Sequence, residues 1–159
     1  MVKIVTGKIN SYKTTRLKRY YDMTKIGDGF IALKTMKDNL VYKYDLIQLS
    51  NGEVIPFVIR DTFDDLKKEV LYQLGPYRFY KEAFEIVEEK IEEFIIKGIE
   101  PIFLDEISLL ELNDLGFSRV LKKLLDKKID LCLVIREDLL DKVLTKFKIK
   151  NYEIIMGEE

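Results

Sequence analysis

The sequence predicts an α/β fold: a mainly parallel sheet flanked by helices, with an antiparallel β insertion after the first helix. Three observations predict it. Apolar strand-like runs alternate with amphipathic helical segments from residue 80 onward, the pattern of a sheet covered on both faces. A β-branched run opens the chain and leads through a glycine-containing loop into helix-compatible sequence. Between these parts, residues 28–79 hold β-rich runs separated by turn signals, as hairpins require. A chain of 159 residues, 47% hydrophobic, can bury a core of its own, so one domain is expected over 1–159.

The elements follow in order. "VKIVT" (2–6) reads as the first strand, residues 14–25 as the first helix, and "KIGDG" as its stop. "FIALKTM" (30–36), "VYKYDLIQL" (41–49) and "VIPFVIR" (54–60) read as strands, with "KDN" and "SNG" as turns; a further short strand is placed in "YQLGPYRF" (72–79). In residues 80–97, Ala83, Val87, Ile91, Phe94 and Ile95 fall at helical spacing, and Gly98 suits the C-cap. "PIFLDE" (101–106) is an apolar strand ending in two acids. Phe117, Val120, Leu121, Leu124 and Leu125 mark the next helix. "IDLCLVI" (129–135), "EDLLDKVLTKF" and "YEIIM" read as strand, short helix and final strand.

Composition excludes several chemistries. There is no histidine and a single cysteine, Cys132, which removes Ser-His and Cys-His nucleophiles and a typical zinc site. Cys132 lies in an apolar run and reads as a buried small hydrophobe. Net charge is -1, which argues against a dedicated nucleic-acid binder. The Lys/Glu-rich mix resembles that of proteins from hot-growing organisms. No run approaches the roughly 20 apolar residues of a membrane helix, and "MVKIVTG" does not read as a secretory leader, so a cytoplasmic location is expected.

"GKINSYKTT" (7–15) is close to the phosphate-binding pattern G-x-x-x-x-G-K-[ST]. Gly7, Lys13 and Thr14 stand where the pattern wants them; Tyr12 replaces the second glycine. In such a loop, successive backbone N–H groups curl around phosphate oxygens and the following helix adds its positive end. Gly7, Lys8, Ile9, Asn10, Ser11, Tyr12, Lys13, Thr14 and Thr15 are therefore the candidate nucleotide-binding residues. Lys13 would reach the outer phosphates and Thr14 would bind Mg²⁺. Asn10 suits a left-handed backbone position. Read alone, the segment is equally a turn before a helix. "PIFLDE" changes the weight. A strand ending in Asp puts a carboxylate at the sheet edge where α/β proteins bind ligands. Asp105 would hold Mg²⁺ with Thr14, and Glu106 would serve the attacking water.

With both motifs in place, the sequence resembles the thermophile and cancer-related nucleoside-triphosphatases, small P-loop proteins with a RecA-like core. "IVTGKINSYKTT" is similar to their opening strand and loop, "DGFIALKTMKDNLVYKYDLIQLSNGE" to their hairpin segment, and "LGPYRFYKEAFE" to the stretch before their long helix. "FLDEISLLEL" resembles their "IDEIG-x-x-EL" signature, and "LVIREDLLDKV" the segment after the next strand. The resemblance implies slow Mg²⁺-dependent hydrolysis of several nucleoside triphosphates, ATP and GTP among them. It carries Asp105 to the metal, Glu106 to the catalytic acid, and Glu111 to a position whose role it does not assign. Tyr12 and Ser108 both stand where the family has glycine, and the hairpin lacks the family's glycines.

Other residues admit two readings. Arg136 follows a strand and would emerge near Asp105, as a catalytic arginine beside Glu106 and Lys13, or as an ordinary surface ion pair. Arg78 has the same ambiguity. Arg16, Lys18 and Arg19 form a basic stretch that is a local patch or simply a solvated face. Tyr42, Tyr44, Phe57, Tyr77 and Tyr80 would stack a base or fill the insertion's core. No guanine-reading N-K-x-D motif is present. The leading function is nucleoside-triphosphate hydrolysis. Two alternatives stay open: a nucleotide or small-molecule kinase, and a non-hydrolysing nucleotide-binding scaffold.

Overall fold

In the computed structural model, which describes residues 1–155, β1 (Val2–Gly7) leads into α1 (Lys13–Thr24). Then come β2 (Asp28–Lys37), β3 (Leu40–Gln48) and β4 (Val54–Arg60). After a 3-10 turn at Asp61–Phe63 the chain forms β5 (Val70–Leu74), β6 (Tyr77–Tyr80) and the long α2 (Lys81–Lys97). β7 (Ile102–Ile107), α3 (Leu109–Leu112), α4 (Ser118–Asp126), β8 (Leu131–Arg136), α5 (Leu140–Lys146) and β9 (Tyr152–Ile154) complete it. Met156, the end of the expected last strand, lies outside the described residues. The single strand placed over 72–79 is a hairpin instead, because Gly75, with φ +55°, turns the chain in its middle.

The strands form one sheet in the order β5-β6-β4-β3-β2-β7-β8-β1-β9. From β2 to β9 the neighbours are parallel; from β2 to β5 they are antiparallel. The expectation of a mainly parallel sheet thus holds for the core half, while the sheet as a whole is evenly mixed. The β insertion continues this sheet. β2 serves both halves: Asp28–Phe30 pair with β7, and Phe30–Lys37 pair with β3. Its first five residues are buried and its last five exposed, so the strand runs out of the helix-covered core into a solvated ribbon.

Period-2 alternation splits the core between two faces. Ile4, Ile102, Leu104, Leu131 and Leu133 point to the side packed by α2, α4 and α5. Val5, Phe103, Cys132 and Val134 point to the side packed by Leu17 and Tyr21 of α1. Cys132 is fully buried, as expected, and burial pushes its thiol up to about 12. On α2, Ala83, Phe84, Val87, Ile91 and Phe94 are buried, and Gly98 closes the helix with φ +69°, a conformation glycine adopts without a Cβ penalty.

Parallel strands bring their carboxyl ends to one edge. There β1 ends at Gly7, which is in register with Arg136 of β8, and β7 carries the acid pair just before its last residue, Ile107. The β7/β8 register shifts between Leu104 and Ile107. This bulge contains Asp105 and Glu106, and a bulge re-aims side chains that regular pairing would alternate.

α3 was not evident in the sequence, and its stabiliser is Glu111. That carboxylate is 3% exposed. One oxygen accepts the Ser108 N–H at 2.8 Å, the other the Phe117 N–H at 2.9 Å. Burial raises its pKa, and the backbone N–H donors oppose the shift. A Cβ on Gly116, which has φ +61°, would collide with the same carboxylate. The Glu of "DEI-x-x-x-EL" therefore holds the turn after the acid pair. Glu111→Gln turns one acceptor into a donor facing a backbone N–H. It is expected to destabilise the fold by about 2 kcal/mol, read by chemical denaturation; unchanged stability would remove Glu111 from this role.

Candidate phosphate-binding site

The loop after β1 turns through two left-handed residues before α1. Asn10 has φ +60°, as its sequence position suggested, and Tyr12 has φ +61° and ψ +33°. Ser11 N–H donates to Lys8 C=O at 3.2 Å, and α1 begins at Lys13. The loop thus adopts the left-handed turn at residue 12 although tyrosine is there. The ring is 78% exposed, so no contact holds it inward. Asn10 to Thr15 line a cavity of about 370 Å³, closed on the far side by Ala32, Lys34, Tyr44 and Glu106.

Lys13 is only 8% exposed, and its ammonium donates to the Lys8 carbonyl at 2.6 Å. Its charge is thus folded across the loop. Ile9 is 63% exposed and supplies only its place in the loop. Thr14 Oγ1 donates to Asp105 Oδ2 at 2.6 Å, and the Ala32 backbone N–H donates to the same oxygen at 2.9 Å. The other carboxylate oxygen, Oδ1, is buried and has no hydrogen-bond partner. Burial drives the Asp105 pKa up to about 7, Glu106 adds to the rise, and the hydrogen bonds from Ala32 and Thr14 oppose it. An unpartnered buried carboxylate oxygen next to a hydroxyl suits a hard cation that prefers oxygen ligands. The donor set fits Mg²⁺, with Thr14 and Asp105 as the residues that would hold it. Among the described residues no cluster of three or more acids or other ligating side chains supplies an alternative metal site.

Glu106 follows with φ +60°, an uncommon conformation for a non-glycine residue that concentrates at functional positions. It is exposed and borders the loop cavity. Arg136 is held by Asp138 through two contacts, Nε–Oδ1 at 2.6 Å and a terminal nitrogen to Oδ2 at 3.0 Å. It stands at the right edge but in the ion pair that was its second reading. Arg78 pairs with Asp64 at 3.1 Å, and Asp64 also accepts the Tyr80 hydroxyl at 2.6 Å. That cluster ties the β5–β6 hairpin to the segment before it.

Sequence reasoning missed three contributors. Arg16 folds back over Gly7 and donates to Thr6 C=O at 2.9 Å and Ser11 Oγ at 3.5 Å, where a Cβ on Gly7 would meet it. Its place in the basic stretch was visible; its fold-back was not. The Ala32 N–H and Lys34 reach the site through β2. No sequence signal marks them, because a strand's backbone donors look alike until pairing is known.

A family model described as NTPase matches residues 3–156. The chain belongs to the NTPase family. Two solved structures share its fold. THEP1 from the hyperthermophile Aquifex aeolicus is 18% identical with a TM-score of 0.73, the match covering 99% of this chain and 90% of that one. A human cancer-related nucleoside triphosphatase is 17% identical with a TM-score of 0.59, covering 99% and 88%. A comparison with curated proteins finds no match.

Within this NTPase the variant loop position and the buried acid each have a measurable consequence. A left-handed tyrosine carries roughly 1–3 kcal/mol of strain, and the exposed ring offsets little of it. Tyr12→Gly is expected to raise stability by about 1 kcal/mol after the entropy cost of glycine, seen as a higher Tm; a lower Tm would mean that the ring is held by contacts worth more than the strain. For Asp105, burial lifts the folded pKa to about 7, above the ordinary carboxylate value of 3.8. The folded state therefore prefers the protonated acid, and stability is lost as pH rises from about 4 to 7. In metal-free protein, Asp105→Asn should flatten this slope, so the variant gains on the parent across that window. Parallel stability–pH curves would place the Asp105 proton elsewhere.

Proposed function

We propose that this NTPase hydrolyses nucleoside triphosphates to diphosphate and phosphate, with Mg²⁺ held by Thr14 and Asp105. The observation that carries the reading is the Thr14–Asp105 hydrogen bond. It joins the first residues of the loop helix to the strand-end acid, beside a carboxylate oxygen that has no other partner. Most buried polar atoms are hydrogen-bonded, and a cation on this oxygen would supply the partner it lacks.

In this reading the N–H groups of Gly7 to Thr15 receive the phosphates, and Lys13 exchanges the Lys8 carbonyl for phosphate oxygens. The metal, when bound, neutralises charge on the outer phosphates. Glu106 accepts the proton of the attacking water as the water oxygen bonds to the γ-phosphorus and the bond to the β-phosphate oxygen breaks. Arg136 would contribute only by giving up Asp138. No side-chain pattern selects a base, so ATP and GTP are both expected to serve.

Calorimetric titration with ATP and with GTP, each with and without Mg²⁺, tests binding, and phosphate release tests turnover. Glu106→Gln keeps the side chain's shape and leaves Thr14 and Asp105 in place. It should therefore bind Mg²⁺·ATP as the parent does while turnover falls about 10²–10⁴-fold. Turnover at the parent rate would remove Glu106 from the chemistry. Binding without any turnover in the parent would favour a nucleotide-binding scaffold.

A further inference from the structure

A second cavity, of about 240 Å³, adjoins the first. Ala32, Tyr44 and Glu106 border both. The second cavity is walled by the rings of Tyr44, Phe57, Tyr77, Phe79 and Phe117, with α3 beside it through Leu109 and Leu110. Its rings already contact one another edge-to-face: Tyr44 and Tyr77 at 6.5 Å, Phe57 and Phe79 at 5.7 Å between centroids. No lysine or arginine lines it, while Asp105, Glu106 and Glu111 do.

Hydrolysis does not account for this cleft. One water occupies about 30 Å³ of liquid, and an aromatic wall is a poor place to order it. The cleft instead has the attributes of a ligand pocket: mostly apolar, with a few polar groups at one point. Its occupant is constrained by its lining. Aromatic walls favour a flat ring, which gains from edge-to-face and offset contacts. The acidic, lysine-free lining rejects an anion such as a nucleotide or a sugar phosphate. Glu106 borders both cavities, so an occupant's hydroxyl group would lie next to the candidate general base and beside the cavity assigned to the triphosphate.

We propose that this cleft seats a small, uncharged, planar aromatic alcohol, and that the protein transfers the γ-phosphoryl group to its hydroxyl. The proposal rests on the nucleotide reading above. The alcohol oxygen forms a bond to the γ-phosphorus, and the bond from that phosphorus to the β-phosphate oxygen breaks. The hydroxyl proton passes to Glu106 and then to solvent. The products are a nucleoside diphosphate and a phosphomonoester, and the nucleoside triphosphate is the only other reactant. A seated alcohol displaces water from beside Glu106, so hydrolysis is the reaction of the empty cleft. Positioning an acceptor in this way is the main catalytic device of phosphoryl transfer.

The test uses the full chain with Mg²⁺·ATP and three probes: benzyl alcohol, 3-(hydroxymethyl)pyridine and, as a non-aromatic control, glycerol. Phosphorus NMR reads the partition between phosphomonoester and inorganic phosphate. The aromatic probes should yield ester and glycerol none. Leu74 is 46% exposed on edge strand β5 and lies at the cleft; Leu74→Trp places an indole there without opening the core. It should lower the ester-to-phosphate ratio at least tenfold, a ratio that partial unfolding does not change. Amide NMR gives a second measurement: benzyl alcohol should shift the Ser108 and Phe117 signals in the parent and not in Leu74→Trp. ATP consumed with phosphate as the only product overturns the transfer, whether or not the amides shift, and leaves the hydrolase reading standing. No consumption of ATP overturns both.

Discussion

Asp105 is a carboxylate buried at the end of a central strand, and the site is organised around the cost of keeping it there. One of its oxygens is shared by Thr14 from α1 and the Ala32 backbone from β2, while its own strand supplies the third element. Thr14 and Ala32 lie 91 and 73 residues before Asp105 in the chain. The hydrogen bonds compensate only part of the desolvation, so the acid is held near neutrality rather than as a free anion. A group in this condition destabilises the fold as pH rises through the window in which it would lose its proton. The same contacts join α1, β2 and β7 at one point.

Left-handed backbone occurs at several places in the described chain, three of them at the loop cavity. Asn10, Tyr12 and Glu106 all have positive φ, and all line it. Asparagine takes this region readily; tyrosine and glutamate do so at a cost. The strain at Tyr12 follows from the course of the loop, which must turn sharply to start α1 with Lys13 directed back toward Lys8. The strain at Glu106 follows from the bulge that lets Asp105 and Glu106 serve one edge. Regular strand geometry would have sent these adjacent side chains to opposite faces.

The β insertion changes the site by extending the sheet from its side. Because β2 is shared, the hairpin that begins beyond Ala32 projects past the loop and carries Lys34 and Tyr44 to the cavity rim. Pairing sets Lys34 opposite Tyr44. The aromatic residues farther out fill the ribbon's inner face: Phe57 packs with Phe79, Phe84 and Phe117. The insertion is thereby anchored to α2 and α4, which explains how a long ribbon keeps a fixed relation to the loop.

The local sequence determined a good deal here. The periodicity of 80–97 and of 117–125 and the β-branched runs are short-range features, and they became the helices and strands expected, except that 72–79 folds as a hairpin. The placement of the two motifs was equally legible: Lys13 and Thr14 open a helix, and Asp105 and Glu106 lie near the end of a strand. The remainder depended on residues far apart in the chain. Whether the insertion formed its own sheet rested on which neighbour β2 chose, and strand pairing is a tertiary event with no local signature. Glu111 stood in the motif, yet its task became visible only when Ser108 and Phe117 closed around it. The Asp105 oxygen without a partner, the Arg16 guanidinium over Gly7 and the aromatic cleft beside Glu106 are likewise products of packing. Residue identity supplies a donor, an acceptor or a ring, but burial and distance decide what that group is free to do.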